Sequence, residues 1–471
     1  MSAPKESRII TGLETLVFRN RPAVIVVFAL VTILLGWSAI NGLRVDAGFS
    51  KQLPLGHEYM ETFLEHYDDF GGADRILIAL IDQSGDMFNP DFFQALGKAT
   101  DAVFFIPGVD RARVTSIFTP NVRFLEVTEE GIEAGDVIPA DFQPTAAGLE
   151  RVRENILKAG IVGRLVANDF SGAIISAQLL EINPETQERL DYFDVARLLE
   201  SEVRQQFQTD QIKVHIIGFA KVVGDIKEGA NRIVLFFGVA FFITAILVFI
   251  YSQSLKLTVV PLVCSVFAVI WELGALPLLG FGIDPMGLLV PFLVFAIGVS
   301  HGVQMISGFA AETFDGADPE TAARTTFRRL LVPGGIALIS DTIGFITILF
   351  IDIRIIQEMA ITASLGVACI ILTNLVLLPV LISYVRPGPK YKDKLLNRAR
   401  QMAPLWESLS KVSTRGPATV IIAIAVGLFV FGAWKGSQVR IGDLHAGVPE
   451  LRPDSRYNLD SQAIKIGRAH V

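Results

Sequence analysis

Seven long apolar stretches, each of roughly 17–25 residues and almost free of charge, dominate the pattern of the chain. A helix rises 1.5 Å per residue, so each stretch can cross about 30 Å of hydrocarbon. Helices buried in soluble cores rarely contain so many uninterrupted apolar residues. The predicted spans are residues 23–40, 233–251, 257–279, 288–309, 332–351, 359–384 and 418–434. The pattern predicts a polytopic α-helical membrane protein.

Lysine and arginine are concentrated on one side of these predicted spans, and this asymmetry sets the orientation. The basic loops are residues 1–22, 252–256, 310–331 and 385–416, whereas loops 280–287 and 352–358 contain only Arg354. The N-terminus is therefore predicted to be cytoplasmic. The protein is expected to lie in the cell inner membrane. Residues 386–416 form a basic cytoplasmic linker before the seventh span, at 417–435.

The segment 41–231 between the first two spans is then extracytoplasmic, and its pattern predicts a mixed α+β domain. Strand-like runs lie at residues 75–81, 173–180 and 214–217. Amphipathic helical patterns lie at residues 90–105, 149–166 and 192–207. Asn89 has the properties of a helix start and Gly108 of a helix end. Such alternation predicts a sheet with helices on one face.

Composition narrows the possible functions. Hydrophobic residues make up 51% of the chain, and the net charge of −7 comes without a basic stripe, so no nucleic-acid partner is expected. The two cysteines, Cys264 and Cys369, lie inside predicted spans, so we expect no disulfide in the exported segment.

The first span follows basic residues and could be a cleaved signal peptide. Its length and Trp37 near its far end favour an uncleaved helix.

The stretch after the seventh span resembles the stretch after the first. Both contain a short basic and apolar segment, a proline-containing turn and the start of a helix. This similarity predicts a duplicated architecture whose second copy begins at the seventh span. Residues 436–471 would then be the start of a truncated second extracytoplasmic domain. Residues 466–471 could be a translated adapter remnant, so His470 carries no functional argument.

This layout resembles the resistance–nodulation–division (RND) superfamily, most closely its lipid-handling branch of mycobacterial membrane protein large, hopanoid-exporter and Patched-like groups. The most specific stretches are residues 295–305 and 319–345. Spans two to six also resemble a sterol-sensing bundle. The resemblance implies export of hydrophobic or amphiphilic molecules or lipids through an extracytoplasmic porter domain, driven by the proton-motive force. H⁺ is the implied coupling ion, and no cofactor is expected.

Three ionisable residues lie away from the ends of the spans: Glu272, His301 and Asp341. A charged group in hydrocarbon costs roughly 2.5–3.5 kcal/mol on insertion scales, so each should face protein or water. Counted from the ends of their apolar runs, His301 and Asp341 lie at the same depth on sequential helices. A carboxylate and an imidazole so placed could share a proton. The alternative is a buried polar pair that holds two helices together.

The fourth span departs from the pattern of the family. Many relatives carry an aspartate where this chain has Ser300 and His301, and Asp341 stands where a small residue is more common. The predicted proton relay is therefore Asp341, His301 and Ser300, with the charge moved to the neighbouring helix. In the complete architecture, further partners come from the second half.

Other intramembrane residues are weaker candidates. Glu272 could line an entry path or pair near the interface, and Asn374 is a polar residue near mid-depth. Gly298 and Gly302 form a small-xxx-small pair, which permits close approach of a helix, either to bring His301 near its partner or as ordinary packing.

The remaining polar residues are assigned structural roles. Residues 318–331 are predicted to form an amphipathic helix on the cytoplasmic surface, with Arg324, Arg328 and Arg329 facing lipid headgroups. The extracytoplasmic histidines lack metal-ligand spacing and are expected to be structural: His57, His66 and His215.

No nucleophile–base motif, metal-ligand spacing or phosphate loop is present in the sequence, so neither an enzyme nor a metal site is expected. Two functions remain possible. The first is an exporter whose expected partners are a lipid or hydrophobic small-molecule substrate, membrane lipids and further copies of itself. The second is a lipid- or sterol-sensing bundle without transport, or an accessory to protein translocation.

Overall fold

A computed structural model describes residues 8–44, 56–66, 74–128, 131–180, 190–284, 287–439 and 451–466, together with residues 182, 187, 447 and 448. The first part of each predicted repeat stretch, residues 45–55 and 440–446, and residues 467–471 lie outside the described residues. The chain divides into two compact units. A helical unit consists of residues Met1–Gly56 and Ile233–Gly442, and an α+β unit consists of His57–Arg232 and Asp443–Val471.

The helical unit contains seven helices long and apolar enough to cross a membrane, which confirms the predicted number and the fold class. Spans 1 to 7 are Arg21–Gly42, Leu235–Ser252, Leu255–Leu278, Gly287–Phe314, Pro319–Phe350, Arg354–Ile382 and Arg415–Gly436. Span 2 is the last part of a longer helix, Phe219–Ser252. Span 6 is an α-helix over Arg354–Leu372, a π-helical turn over Thr373–Leu377 and an α-helix over Leu378–Ile382.

Two further helices belong to this unit. An N-terminal helix, Arg8–Arg19, precedes span 1, and a linker helix, Tyr391–Ser410, lies between spans 6 and 7. Span 4 begins with a short 3₁₀ turn at Gly287–Leu289, and span 5 ends in one at Ile348–Phe350. We call the end of the bundle where spans 4 and 5 are joined, which carries Arg324, Arg328 and Arg329, the basic end.

Spans 3, 4 and 6 form the centre of the bundle, where about half of each span or more is buried. Span 1 packs on span 3. The indole of Trp271 donates a 2.9 Å hydrogen bond to Thr32 and stacks on Phe28. A Cβ at Gly274 would lie 2.1 Å from the carbonyl oxygen of Leu35, so these helices touch through their backbones. Span 7 has no buried residue.

The predicted surface helix at residues 318–331 is not a separate element. One helix runs continuously over Pro319–Thr347. Arg324 pairs with Glu320 at 2.8 Å, and both Arg324 and Arg328 pair with Glu14 of the N-terminal helix, at 3.3 and 3.4 Å.

The sequence predicts that the basic residues of 318–331 face lipid headgroups, and the structure adds ion pairs of Arg324 and Arg328 with Glu14. The N-terminal helix packs against this region and supplies the acid that pairs with both. Arg329 pairs with Glu312, although its side chain is 68% exposed.

The α+β unit contains the strands β1 Arg75–Asp82, β2 Val109–Thr115, β3 Arg123–Thr128, β4 Gly131–Asp136, β5 Gly172–Leu179 and β6 Ile212–Gly218. Four of them form an antiparallel sheet with the order β2–β5–β1–β6, and β3 and β4 form a separate two-stranded hairpin. The structure thus contains strands at all three predicted positions and adds three more polar ones, of six or seven residues.

Helices of the same unit follow local capping chemistry. They are α1 Glu58–Glu65, α2 Pro90–Phe104, α3 Ala146–Ala159, α4 Tyr192–Leu198 and α5 Arg456–Ile466. Asn89 caps α2 by accepting from the amide of Phe92, as its position predicts. The predicted helix 149–166 is too long, because Gly160 is left-handed (φ +62°) and ends α3. After α4 the chain continues through a π-helical turn, Leu199–Arg204, to Phe207.

Helices cover both faces of this sheet. Phe92 and Leu96 of α2 pack with Ile78 and Ile216 on one face. On the other face, Ile464 of α5 packs with Ala79 and Ile174. The predicted arrangement with helices on one face only is therefore wrong. The reason is that α5, from the segment expected to open a second domain, covers the remaining face.

Candidate functional site in the helical bundle

Glu272 of span 3 lies at the centre of the bundle, and its side chain is 0% exposed. Neither carboxyl oxygen has a hydrogen-bond partner among the described residues. A Cβ added at Gly366 of span 6 would lie 3.2 Å from Oε2 of Glu272 and 2.3 Å from Cγ2 of Val294 on span 4. The missing side chain at Gly366 therefore creates the space that the carboxyl group occupies.

This enclosure restricts the protonation state of Glu272. Removing a charge from water costs several kcal/mol, and within a protein only a counter-charge or donated hydrogen bonds offset that cost. The described structure supplies neither around this carboxyl group. The surroundings of Glu272 therefore disfavour an ionised carboxylate in this arrangement of spans 3, 4 and 6.

Asn374 is a second buried polar group, in the π-helical turn of span 6. Its side chain is 1% exposed, its Nδ2 donates to Thr373 at 3.3 Å, and its Oδ1 has no partner among the described residues. A Cβ at Gly298 or at Gly302 would lie 3.4 Å from the amide group of Asn374. Single π-turns within helices recur at functional sites. Asn374, a weaker candidate from the sequence, therefore lies in the packed centre of the bundle.

Gly298 and Gly302 allow span 4 to approach span 3. A Cβ at Gly298 would lie 2.8 Å from Oγ of Ser265, and one at Gly302 would lie 2.6 Å from Cβ of Pro261. These distances are shorter than van der Waals contact, so both positions require glycine. The close approach is to spans 3 and 6, on a different side from Asp341 of span 5.

We expect Gly302→Ala to destabilise the bundle by about 1–3 kcal/mol, because the added methyl group must displace Pro261, whose ring cannot rotate away. The loss is measured as a lower melting temperature of the detergent-purified chain. Gly344→Ala in span 5 is the matched control, since nothing lies within 4 Å of its Cβ position. Equal melting temperatures for the two variants would contradict the close approach of spans 3 and 4.

His301 and Asp341 are placed apart from this centre. His301 is half-buried, and its Nδ1 lies 3.1 Å from the carbonyl oxygen of Ile297, so Nδ1 carries the hydrogen in that bond. Ser300 and Asp341 are exposed on the outside of the bundle. In the described part of the chain, no hydrogen bond or ion pair joins Asp341 to His301.

The heights of these two residues also differ. A Cβ at Gly308 would lie 2.7 Å from Cγ2 of Thr326, which places these positions of spans 4 and 5 side by side. His301 is seven positions beyond Gly308 (308 − 301), and Asp341 is fifteen beyond Thr326 (341 − 326). At 1.5 Å per residue, the eight-residue difference puts Asp341 about 12 Å further from the basic end.

A second contact agrees with this register. A Cβ at Gly334 would lie 3.1 Å from Cδ2 of Leu375, whose neighbour Asn374 touches the middle of span 4. Asp341 is seven positions beyond Gly334 (341 − 334), about 10 Å further along span 5. The prediction that His301 and Asp341 lie at one depth is wrong. The apolar run of span 5 starts at Val332, but its helix begins at Pro319 and is already packed there, so the start of the run does not mark the end of the span.

The other residues considered in the sequence occupy ordinary structural positions. Cys264 and Cys369 are buried free cysteines. His57 caps α1 by accepting from the amide of Tyr59. His215 pairs with Asp460 at 2.9 Å in the α+β unit, a contact that no local pattern in the sequence indicates.

The seven apolar helices and the α+β unit define a polytopic membrane protein. The chain belongs to the MMPL family, whose profile matches residues 166–420, and this family is part of the RND superfamily. It is also similar to a membrane protein of Methanocaldococcus jannaschii, with 21% identity over 378 residues that cover 76% of this chain and 89% of the relative. These matches support a membrane transporter of the RND type.

Proposed function

We propose that the protein couples the proton-motive force to the export of hydrophobic or amphiphilic molecules, with Glu272 as the residue that takes up and releases the proton. The observation that carries this proposal is the complete enclosure of Glu272 by spans 3, 4 and 6 without a polar partner. A carboxyl group so placed is protonated when the helices are closed and can ionise when they open. Such a residue converts proton movement into helix movement.

The energy available is sufficient for a useful gradient. One proton crossing 100 mV yields about 2.3 kcal/mol. Each tenfold gradient of an uncharged amphiphile costs about 1.4 kcal/mol. Exchange of one proton for one molecule therefore supports more than a tenfold gradient.

Asp341, His301 and Ser300 have a separate role in this proposal. The carboxyl group of Asp341 is exposed on an apolar helix, and an ionisable group in hydrocarbon requires a partner. We propose that this partner belongs to another set of spans that packs against spans 4 and 5, either from a second half or from another copy of the chain. Asp341 and His301 would then pass the proton between that surface and water.

Reconstitution of the full chain in liposomes tests the proposal. The probes are a pH-sensitive dye inside the vesicles and a phospholipid carrying a nitrobenzoxadiazole fluorophore, whose leaflet is reported by dithionite quenching. We expect an imposed pH gradient to drive net lipid movement together with protein-dependent proton flux, and a protonophore, which dissipates the gradient, to stop the lipid movement. Lipid binding without either movement would contradict export and favour a lipid-sensing bundle.

A further inference from the structure

A cavity of about 350 Å³ opens at the basic end of the bundle. Its walls come from the last turn of span 2, the last two turns of span 4 and the first half of the linker helix. The polar groups in these walls include Tyr251, Ser307, Tyr391 and Arg398. Ser252 in its wall lies 20 positions before Glu272 (272 − 252), and the cavity shares none of the residues of the proposed proton site.

Two polar atoms in this cavity are buried without a partner among the described residues: the hydroxyl oxygen of Tyr391 and Nη1 of Arg398. The Tyr391 side chain is largely enclosed, since the residue is 7% exposed. Burial raises the pKa of Tyr391 above its usual value, with Arg398 acting in the opposite direction. Tyr391 therefore remains a neutral hydrogen-bond donor at neutral pH.

The guanidinium group of Arg398 is held in place without being neutralised. It lies over the ring of Tyr251, 4.6 Å from the ring centre, and no described carboxylate pairs with it. A cation that stacks on an aromatic ring keeps its in-plane donors available. Asp315 also lines the cavity. The ammonium group of Lys392 donates to the carbonyl oxygen of Phe314, next to Asp315 in the chain, at 3.1 Å. Its positive charge opposes the negative charge of Asp315.

Part of the cavity wall is apolar. Ile306, Ala310 and Leu395 form part of its wall. A second cavity of about 320 Å³ shares Tyr251 and Ser307 as lining residues and extends along spans 4 and 5. A pocket with two unpartnered donors and an adjoining apolar surface fits a molecule with an anionic group and hydrocarbon chains.

We propose that this cavity binds the phosphate group of a membrane phospholipid, with Arg398 and Tyr391 donating to its oxygens. Guanidinium groups bind phosphate through parallel hydrogen bonds, and bound phosphate would satisfy both orphaned donors. The site lies where the spans end on their basic side, which is the level of lipid headgroups. The inference concerns a lipid site separate from Glu272 and does not depend on proton coupling.

The test measures lipid binding to the purified full chain by native mass spectrometry. The probes are phosphatidylglycerol and a diacylglycerol with the same acyl chains. The diacylglycerol lacks the phosphate group. We expect a bound phosphatidylglycerol that Arg398→Gln weakens at least tenfold, because a charge-assisted hydrogen bond is lost. Arg400→Gln is the matched control, since Arg400 is an exposed arginine on the same helix, and it should change binding less than twofold.

A second variant keeps the proposal testable if Arg398→Gln fails to fold. Tyr391→Phe removes only the orphaned hydroxyl and should weaken phosphatidylglycerol severalfold while leaving the lipid-free chain at least as stable. Equal binding of diacylglycerol, or unchanged phosphatidylglycerol binding in both variants, would overturn the phosphate site. Displacement of the lipid by millimolar inorganic phosphate would contradict a phospholipid as the natural ligand and would indicate a soluble phosphate compound instead.

Discussion

Glu272→Gln is expected to reduce proton-coupled lipid movement to the level of empty liposomes. Glutamine has nearly the shape of a protonated glutamate but cannot release a proton, so the bundle can no longer be driven by the pH gradient. The fold should persist, because the wild-type carboxyl group makes no hydrogen bond or ion pair with the described residues that the change could break. The measurement is the combined dye and dithionite assay on the reconstituted variant.

Two companion variants give this experiment its controls. Glu272→Asp retains an acid at the centre and should keep part of the coupled movement. Asp341→Asn tests the residue that the sequence favoured, on the outside of span 5. Normal coupling in Glu272→Gln together with loss in Asp341→Asn would move the proton site to the surface of spans 4 and 5. Loss in both would indicate a pathway that includes both acids.

The sequence predicts the membrane helices well because length and the absence of charge are properties of each helix alone. It cannot predict which side of a span faces inward. Glu272 and Asp341 are both single acids in apolar runs, yet one is fully buried and the other exposed. When nearly every residue of a helix is apolar, polar periodicity no longer marks the inner face. The informative feature is a small residue on a neighbouring helix, as Gly366 is for Glu272.

Relative depth along neighbouring spans is also poorly predicted from apolar runs. Span 5 begins well before its apolar run, so a count from Val332 misplaces Asp341 by roughly two turns. In the α+β unit, β1 and β5 are found because their residues are apolar and mostly buried. The hairpin of β3 and β4 is missed because it is short, and β4 is largely exposed. Strands of this kind carry no periodic apolar signal.

The packing of α5 on the sheet could not be predicted because it depends on contacts between residues more than 200 positions apart. Asp460 is completely buried, yet in the sequence it is one acid among several in an amphipathic segment. One partner, Arg456, is on the same helix, but the buried partners Arg204 and His215 lie in a different stretch of polar residues. Only the three-dimensional arrangement identifies this acid as the centre of a charge cluster.

Asp460→Ala is expected to release α5 from the sheet, at a cost of about 3–5 kcal/mol, because it leaves a buried arginine without its principal partner. Asp460 receives a 2.6 Å hydrogen bond from Arg204, a 2.9 Å bond from His215 and a 3.2 Å bond from the amide of Ile216. Ile216 belongs to β6, the edge strand of the sheet, so the carboxylate also satisfies an edge amide that would otherwise be unpaired.

Hydrogen exchange of the full chain in detergent measures this release. A loss of 3 kcal/mol corresponds to a roughly 100-fold increase in the opening of α5, since each factor of ten is about 1.4 kcal/mol. Asp454→Ala is the matched control in the same segment, because its ion pair with Arg452 is highly exposed and worth at most about 1 kcal/mol. Equal exchange in the two variants would contradict a structural role for the buried cluster.

Acidification provides an independent check that ionised Asp460 stabilises the packing of α5. Burial alone would raise the pKa of Asp460, but the hydrogen bonds from His215 and Arg204 outweigh it and hold the pKa below 3.8. A group whose pKa is lower in the folded state stabilises that state fully at pH values above its unfolded pKa. The stabilisation is lost as the pH falls through the lowered value. After correction for the pH dependence of intrinsic amide exchange, the protection of α5 in the wild-type chain should be constant near neutral pH and fall only below about pH 4, whereas α5 of Asp460→Ala should have low protection throughout.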